Sequence, residues 1–309
     1  MVKDRRVIMN PSDAAGIGLV FDRFAPDSDA RFVGGESGRE HSALSIHYVG
    51  TAGWKDQSSG CVLLHGGSGD WRHFGANLDR LGERLAIVAP DLPGFGASDL
   101  PPGEDLAAIA DPIAGFVKAL PWRDITLVGF SFGALVAAAV ALKCRPARLM
   151  LVSPAGFGAH TPEMADAREA AATAAKVSGL RAGLAVNLER IMLNRSPFLE
   201  DEPVLAMMEE MLRANRINVR RFSRREMIVD YLRLVDCPVR VLFGAFDPYH
   251  ASVLPQRYAA IADACPGAEV TTVPNAAHWL MLETPGAFED ALLQFCQKEV
   301  RDDDRLRPS

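Results

Sequence analysis

Ser131, Asp247 and His278 are the residues of this chain whose types and order could carry out acyl transfer. Ser131 is the centre of Gly129-Phe130-Ser131-Phe132-Gly133, a G-x-S-x-G pattern between a strand-like run, Asp124 to Val128, and a helix-like run, Ala134 to Lys143. A sharp strand-to-helix turn holds its middle residue in a strained conformation and presents the hydroxyl at the carboxyl end of a sheet. Flanking glycines let the backbone pass close to its neighbours. On its own the pentapeptide fits an ordinary small-residue turn equally well. A serine hydroxyl is a poor nucleophile near neutral pH, so it needs a base, and the base needs an orienting acid. His278 and Asp247 supply both in the order Ser, Asp, His, each just after a strand-like run. His278 would take the Ser131 proton and return it to the leaving group, while Asp247 would fix the imidazole tautomer and stabilise the imidazolium. The developing oxyanion needs donors. One is the Phe132 N–H at the start of a helix, and the second comes from His65-Gly66-Gly67-Ser68-Gly69, with Gly67 first and Ser68 next.

Competing assignments are weaker. His160, at the stem of a helical insertion, and His250, three residues after Asp247, read as surface histidines. His41 and His47 lie before or within an edge strand, and His73 lies on a helix near the entrance. His65, before two glycines, reads as a structural hydrogen-bonding residue, and Asp91 in Pro90-Asp91-Leu92-Pro93-Gly94-Phe95-Gly96 as a loop-shaping carboxylate. The Gly-rich turn at 66–69 has neither phosphate-loop spacing, and the chain lacks H-E-x-x-H and C-x-x-C patterns. No metal or organic cofactor is expected.

The elements that must position these residues alternate. Leu44 to Val49 reads as an edge or antiparallel strand. Unbroken apolar runs follow at 61–64, 85–89, 124–128, 149–152, 239–243 and 269–273, which suits strands buried on both faces of a parallel sheet. Helical periodicity marks 71–81, 105–120, 134–144, 255–263 and 285–298. The pattern predicts an α/β fold with a doubly wound, mostly parallel sheet, whose ligands bind beyond the carboxyl ends of the strands. Between Val152 and Val239 the alternation stops. Thr161-Pro162-Glu163 opens a helix that runs to about Val177, with others near 181–194, 201–216 and 218–234. This all-helical insertion, 158–235, reads as a cap between two parts of one core, 1–157 and 236–300. Residues 1–40 form an irregular arm, and 301–309 a frayed tail.

Bulk properties narrow the field. The 309 residues are 49% hydrophobic, enough for a large core, and the net charge of -6 argues against a nucleic-acid partner. Five scattered cysteines suggest reduced thiols and a cytoplasmic setting. No run is long and apolar enough to read as a signal peptide or a membrane span.

Within the insertion, Met207, Met208, Met211 and Leu212 fall at helical spacing and would either line an apolar pocket or pack as cap core. Arg213, Arg216, Arg220, Arg221, Arg224 and Arg225 form a basic stretch, read first as a solvated helical face and second as an attractor of anionic substrate. Phe130 and Phe132 give the acyl site an apolar wall.

The chain resembles the α/β-hydrolase superfamily, in serine-nucleophile members with a helical cap. The resemblance lies in His65-Gly66-Gly67, Asp91 to Ser98, the Ser131 turn, Gly244-Ala245-Phe246-Asp247, and His278-Trp279 leading to Glu283-Thr284-Pro285. It implies Ser131 as nucleophile, Asp247 as acid, His278 as base, and Gly67 with Phe132 as oxyanion hole. Phe130, Ser68, Met207, Met211 and Trp279 make up the expected substrate-binding set. His278-Trp279 and Leu193 to Leu199 resemble the carbon–carbon bond hydrolases that cleave aromatic ring-fission products. Those enzymes share an Arg-Trp pair on a cap helix, where this chain reads Leu205-Ala206-Met207-Met208-Glu209-Glu210. The expected activity is therefore hydrolysis of a small, largely apolar ester through an acyl-enzyme. A carbon–carbon bond hydrolase, and a non-hydrolytic binder or lyase on the same fold, stand as alternatives. The expected partner is a small molecule, and homo-oligomerisation stays open.

Overall fold

The apolar runs become strands because neighbouring side chains point to opposite faces and both faces are covered. The computed structural model describes residues 44–194 and 201–298. The expected arm, the tail, His41 and the Arg195–Leu199 part of the 193–199 phrase lie outside the described residues. Seven strands form one sheet: β1 (Tyr48–Gly50), β2 (Ser59–Leu64), β3 (Ile87–Pro90), β4 (Asp124–Phe130), β5 (Arg148–Val152), β6 (Val239–Gly244) and β7 (Glu269–Val273). Their order is β1-β3-β2-β4-β5-β6-β7. β1 pairs antiparallel with β3, and the other pairs are parallel. The edge strand starts at Tyr48, four residues later than expected at Leu44, because the 44–47 segment is tied to the loop after β3 instead. There His47 N–H donates to Ser98 Oγ at 2.9 Å and Ser45 N–H to Asp99 Oδ2 at 2.8 Å.

Helices α1 (Leu78–Gly82), α2 (Leu106–Ala119) and α3 (Phe132–Cys144) precede β5. The stretch expected to be helical at 71–81 is a 3-10 turn, Trp71–Asn77, running into α1, with Asp70 accepting from the Arg72 N–H. The insertion holds α4 (Pro162–Ser178), α5 (Leu180–Asn187), a wider turn at Leu188–Met192, α6 (Glu202–Ala214), α7 (Arg220–Ser223) and α8 (Ile228–Leu234). The helix expected at 218–234 is thus two short ones, α7 and α8. Between them, the Met227 and Ile228 N–H groups donate to Gly156 O. α9 (Leu254–Ala264), α10 (Leu280–Glu283) and α11 (Pro285–Gln297) complete the chain.

Alternation along β5 shows how the two layers arise. Leu149 and Leu151 join one buried apolar cluster with α2, α3, α8 and α9, while Met150 and Val152 join a second with α1, α10 and α11. All four are fully buried. Truncating such a side chain to Ala costs about 2–5 kcal/mol, so the sheet is a stiff platform. Its carboxyl edge carries Ser131, Ser153, Asp247 and His278, each within a few residues of the end of β4, β5, β6 or β7.

Candidate active site

The Ser131 turn has the strain that its sequence implies. Its φ is 51° and ψ -113°, outside the regions a side-chain-bearing residue favours. The turn is tight enough to exclude a side chain at either glycine. A Cβ on Gly133 would fall against the His65 and Leu64 carbonyl oxygens, and one on Gly129 against Gly133 O and the Ala134 backbone. The small residues therefore press the start of α3 against the turn after β2, bringing Phe132 and Gly67 to the same cavity as Ser131. Phe132 is the first residue of α3, so its N–H lies at the end of the helix where amides have no intrahelical acceptor.

Ser131 Oγ lies 2.9 Å from His278 Nε2, and His278 Nδ1 lies 2.8 Å from Asp247 Oδ2. A carboxylate can only accept, so Nδ1 carries the proton and the Nε2 lone pair faces the serine. Asp247 is fully buried, and its other oxygen accepts the Tyr249 N–H at 2.9 Å. Burial opposes its charge. The proximity of His278 and His250, with the hydrogen bonds from His278 and Tyr249, outweighs burial and holds the carboxyl below its ordinary range. The arrangement can deprotonate the serine hydroxyl during attack on a carbonyl carbon and carry the proton to a leaving group.

The sequence-expected binding residues divide. Ser131, His278, Gly67, Ser68, Phe130 and Phe132 line one cavity of about 360 Å³, together with Met208, Met211 and Leu212. Asp247 lies behind His278, buried and outside the lining. Met207 does not reach the cavity and packs in the second core cluster, one helical step from the face that Met208 and Met211 present. Trp279 is likewise outside: it is 1% exposed, and its Nε1–H donates to His73 O at 2.8 Å, which clamps the His278 loop onto the 71–77 turn.

The expectations for His65 and Asp91 hold, and those for two other histidines need correction. His65 accepts from Leu92 N–H at Nε2 and donates from Nδ1 to Gly66 O, so it is structural. Asp91 shapes its loop by accepting from Trp71 N–H and Ala97 N–H, with His47 Nδ1 2.8 Å away. His250 is not a surface residue. It is buried, its Nε2 lies 3.9 Å from Asp247 Oδ2, and its Nδ1 has no hydrogen-bond partner among the described residues. Burial pushes its pKa down to about 4. His160 is half-buried and lines the cavity. Sequence reasoning also passed over Tyr249, whose ring lies tilted 4.6 Å from that of His278, and Ser153, whose buried Oγ lacks a partner among the described residues. Position just after β5 and β6 was the signal for both.

A profile of the alpha/beta hydrolase family matches residues 61–291. Among curated relatives, the dihydrolipoyllysine-residue acetyltransferase component of the acetoin cleaving system from Cupriavidus necator is 39% identical over 101 residues, which is 31% of this chain and 27% of that one. The chain thus spans about a quarter of that relative's length. The sn-1-specific diacylglycerol lipase ABHD11 of Mus musculus is 26% identical over 260 residues, covering 76% of this chain and 80% of the relative. Among solved structures, a thermophilic esterase from Thermogutta terrifontis superposes with a TM-score of 0.65 at 24% identity, covering 86% of this chain and 97% of the other. With the sheet order, the strained serine turn and the extent of the profile match, the chain belongs to the alpha/beta hydrolase family.

Proposed function

We propose that the chain is a serine hydrolase of small, largely apolar carboxylic esters. The observation that carries this reading is the unbroken line of contacts from Ser131 Oγ to His278 to Asp247, ending in a cavity walled by Phe130, Met208 and Met211. In the first half-reaction Ser131 Oγ bonds to the ester carbonyl carbon as its proton passes to His278 Nε2. The C–O bond then breaks and the alcohol leaves with that proton. In the second half-reaction water gives a proton to His278 and attacks the acyl-enzyme, and Ser131 leaves with a proton returned. The Gly67 and Phe132 N–H groups serve the oxyanion in both halves. The helices between β5 and β6 act as a cap over the cavity. Ester chemistry is supported by the mouse relative, named a diacylglycerol lipase, and by the structural neighbour, named an esterase.

Replacing Ser131 with Ala should lower kcat on p-nitrophenyl butyrate by roughly 10⁴-fold or more, the scale on which loss of a nucleophile acts. A fluorophosphonate probe should label the wild type at Ser131 and leave the variant unlabelled. Unaltered turnover in the variant would end the proposal.

A further inference from the structure

The cavity is not apolar throughout. On the side of Tyr249 it is lined by His160, Arg168 and Arg220. The order of groups is readable from ring contacts. The Tyr249 ring lies 4.6 Å from that of His278, and the His160 ring meets Tyr249 edge-on at 5.4 Å. Arg168 Nη1 lies 3.4 Å from His160 Nδ1. Contacts thus run from the catalytic imidazole through two rings, Tyr249 and His160, to Arg168, which lines the same cavity.

Among the described residues, this cluster has no carboxylate as an ion-pair partner. Arg181, Arg213 and Arg221 of the insertion pair with glutamates: Glu202 and Glu209, Glu209, and Glu104 respectively. Arg168, Arg220 and Arg224 have no ion-pair partner among the described residues. The charges that act on His160 are those of Arg168, Arg224 and Arg220, and together with burial, the larger influence, they push its pKa down to about 4. Arg168 is half-buried on α4; burial, with the same two arginines, outweighs the favourable influence of Tyr249 and disfavours its charge. Placing like charges together at the end of an apolar cavity is unfavourable unless something negative enters. Arg168 is half-buried and Arg220 exposed, and both border the cavity itself, where a bound anion can reach them.

We propose that Arg168 and Arg220 form an anion subsite, so that the substrate is an apolar ester carrying a terminal oxyanion, carboxylate or phosphate, remote from the scissile bond. The substrate class rests on the ester reading above; the anion subsite does not. Guanidinium groups suit such a ligand because their planar fork can donate two parallel hydrogen bonds. His160, neutral beside Arg168, adds a further polar contact. The apolar part of the lining, which includes Met208 and Met211, would hold the substrate's apolar chain.

The test separates binding from turnover. In the Ser131→Ala background, titration calorimetry compares hexanoate, hexyl phosphate and the neutral hexanamide. Hexanoate or hexyl phosphate should bind about tenfold tighter than hexanamide or better, the equivalent of one charge-assisted hydrogen bond. The stronger of the two names the oxyanion. The preference should weaken as salt is raised, collapse toward one in Arg168→Gln/Arg220→Gln, and survive in part in Arg168→Lys. Equal binding of acid and amide, or a preference that outlasts the double substitution, overturns the subsite. Because no ester is cleaved, these outcomes are independent of whether Ser131 proves to be a nucleophile.

Discussion

At the residue scale, Asp247 shows how one side chain can be committed to a single purpose. One oxygen accepts from Tyr249 N–H and the other faces His278, so the carboxylate can neither rotate nor exchange with water. Replacing it by Asn keeps the volume but presents an amide where Nδ1–H must donate, and the imidazole then favours the tautomer with its proton toward Ser131. Asp247→Asn is expected to lower kcat roughly 10⁴-fold with little change in KM, read from steady-state kinetics on p-nitrophenyl butyrate. Similar losses in kcat and affinity would point to a disturbed cavity instead. Ser131, Asp247, His278, Gly67 and Phe132 were legible because each is tied to a strand end, and strand ends follow from apolar runs. His160, Arg168 and Tyr249 were not. They meet through the packing of α4 against the loop after β6, including the Thr161 hydroxyl on Pro248 O, and no local pattern records such a contact. Met207 and Met208 illustrate the same limit, since helical spacing shows that a face exists and not which neighbour it meets.

The element that does most to set the geometry of the candidate site is α3, and its apolar residues are buried almost all round. Ala134 to Ala141 pack on every side, which is why that segment could be read as helix yet gave no amphipathic stripe to orient it. Its position comes from the glycines. Gly133→Ala would drive a methyl into the His65 and Leu64 carbonyls, so α3 must withdraw from the turn after β2. The expected cost is about 1–3 kcal/mol of stability, as for other overpacked sites. A shift of even about 1 Å between Phe132 N–H and Gly67 N–H should lower kcat by on the order of 100-fold. Denaturant melts paired with kinetics check both; an activity loss without destabilisation would mean that the turn yields and α3 does not. The central strands were readable because Val, Leu and Ile runs buried on both faces have few other solutions in a chain of this length. The 71–81 helix was misjudged for a physical reason. Asp70 caps Arg72 N–H while Asp91 accepts from Trp71 N–H, and that tight start favours the narrower 3-10 turn before α1.

For the whole molecule, the buried histidines set how the fold responds to acid. His73 is buried between the turn after β2 and the His278 loop, where its Nδ1 accepts from Gly66 N–H and its ring meets Phe130 and Trp279. Burial first, and the neighbouring His65 second, push its pKa from 6.5 down to about 3, and burial takes His250 to about 4. Both are neutral in the fold and become protonated more readily once it opens. A folded pKa below the unfolded one gives stability that is fully present above pH 6.5 and is lost as pH falls toward the folded value. Each such group contributes a slope of up to about 1.4 kcal/mol per pH unit in that window. Between pH 6.5 and 5 most carboxylates are still ionised in either state, so the histidines dominate the change: His65 and His160, also held down by burial, add to it, and His47, whose pairing with Asp91 outweighs burial and raises its pKa, offsets part of it. Unfolding free energy measured by urea titration should therefore fall steadily over this interval. In His73→Gln, stability at pH 7 drops because the packing is disturbed, yet its slope between pH 6.5 and 5 should be shallower by about 0.8 proton on average, about 1.1 kcal/mol per unit. An unaltered slope would mean that His73 exchanges protons in the folded state, and that the junction of the two loops admits water.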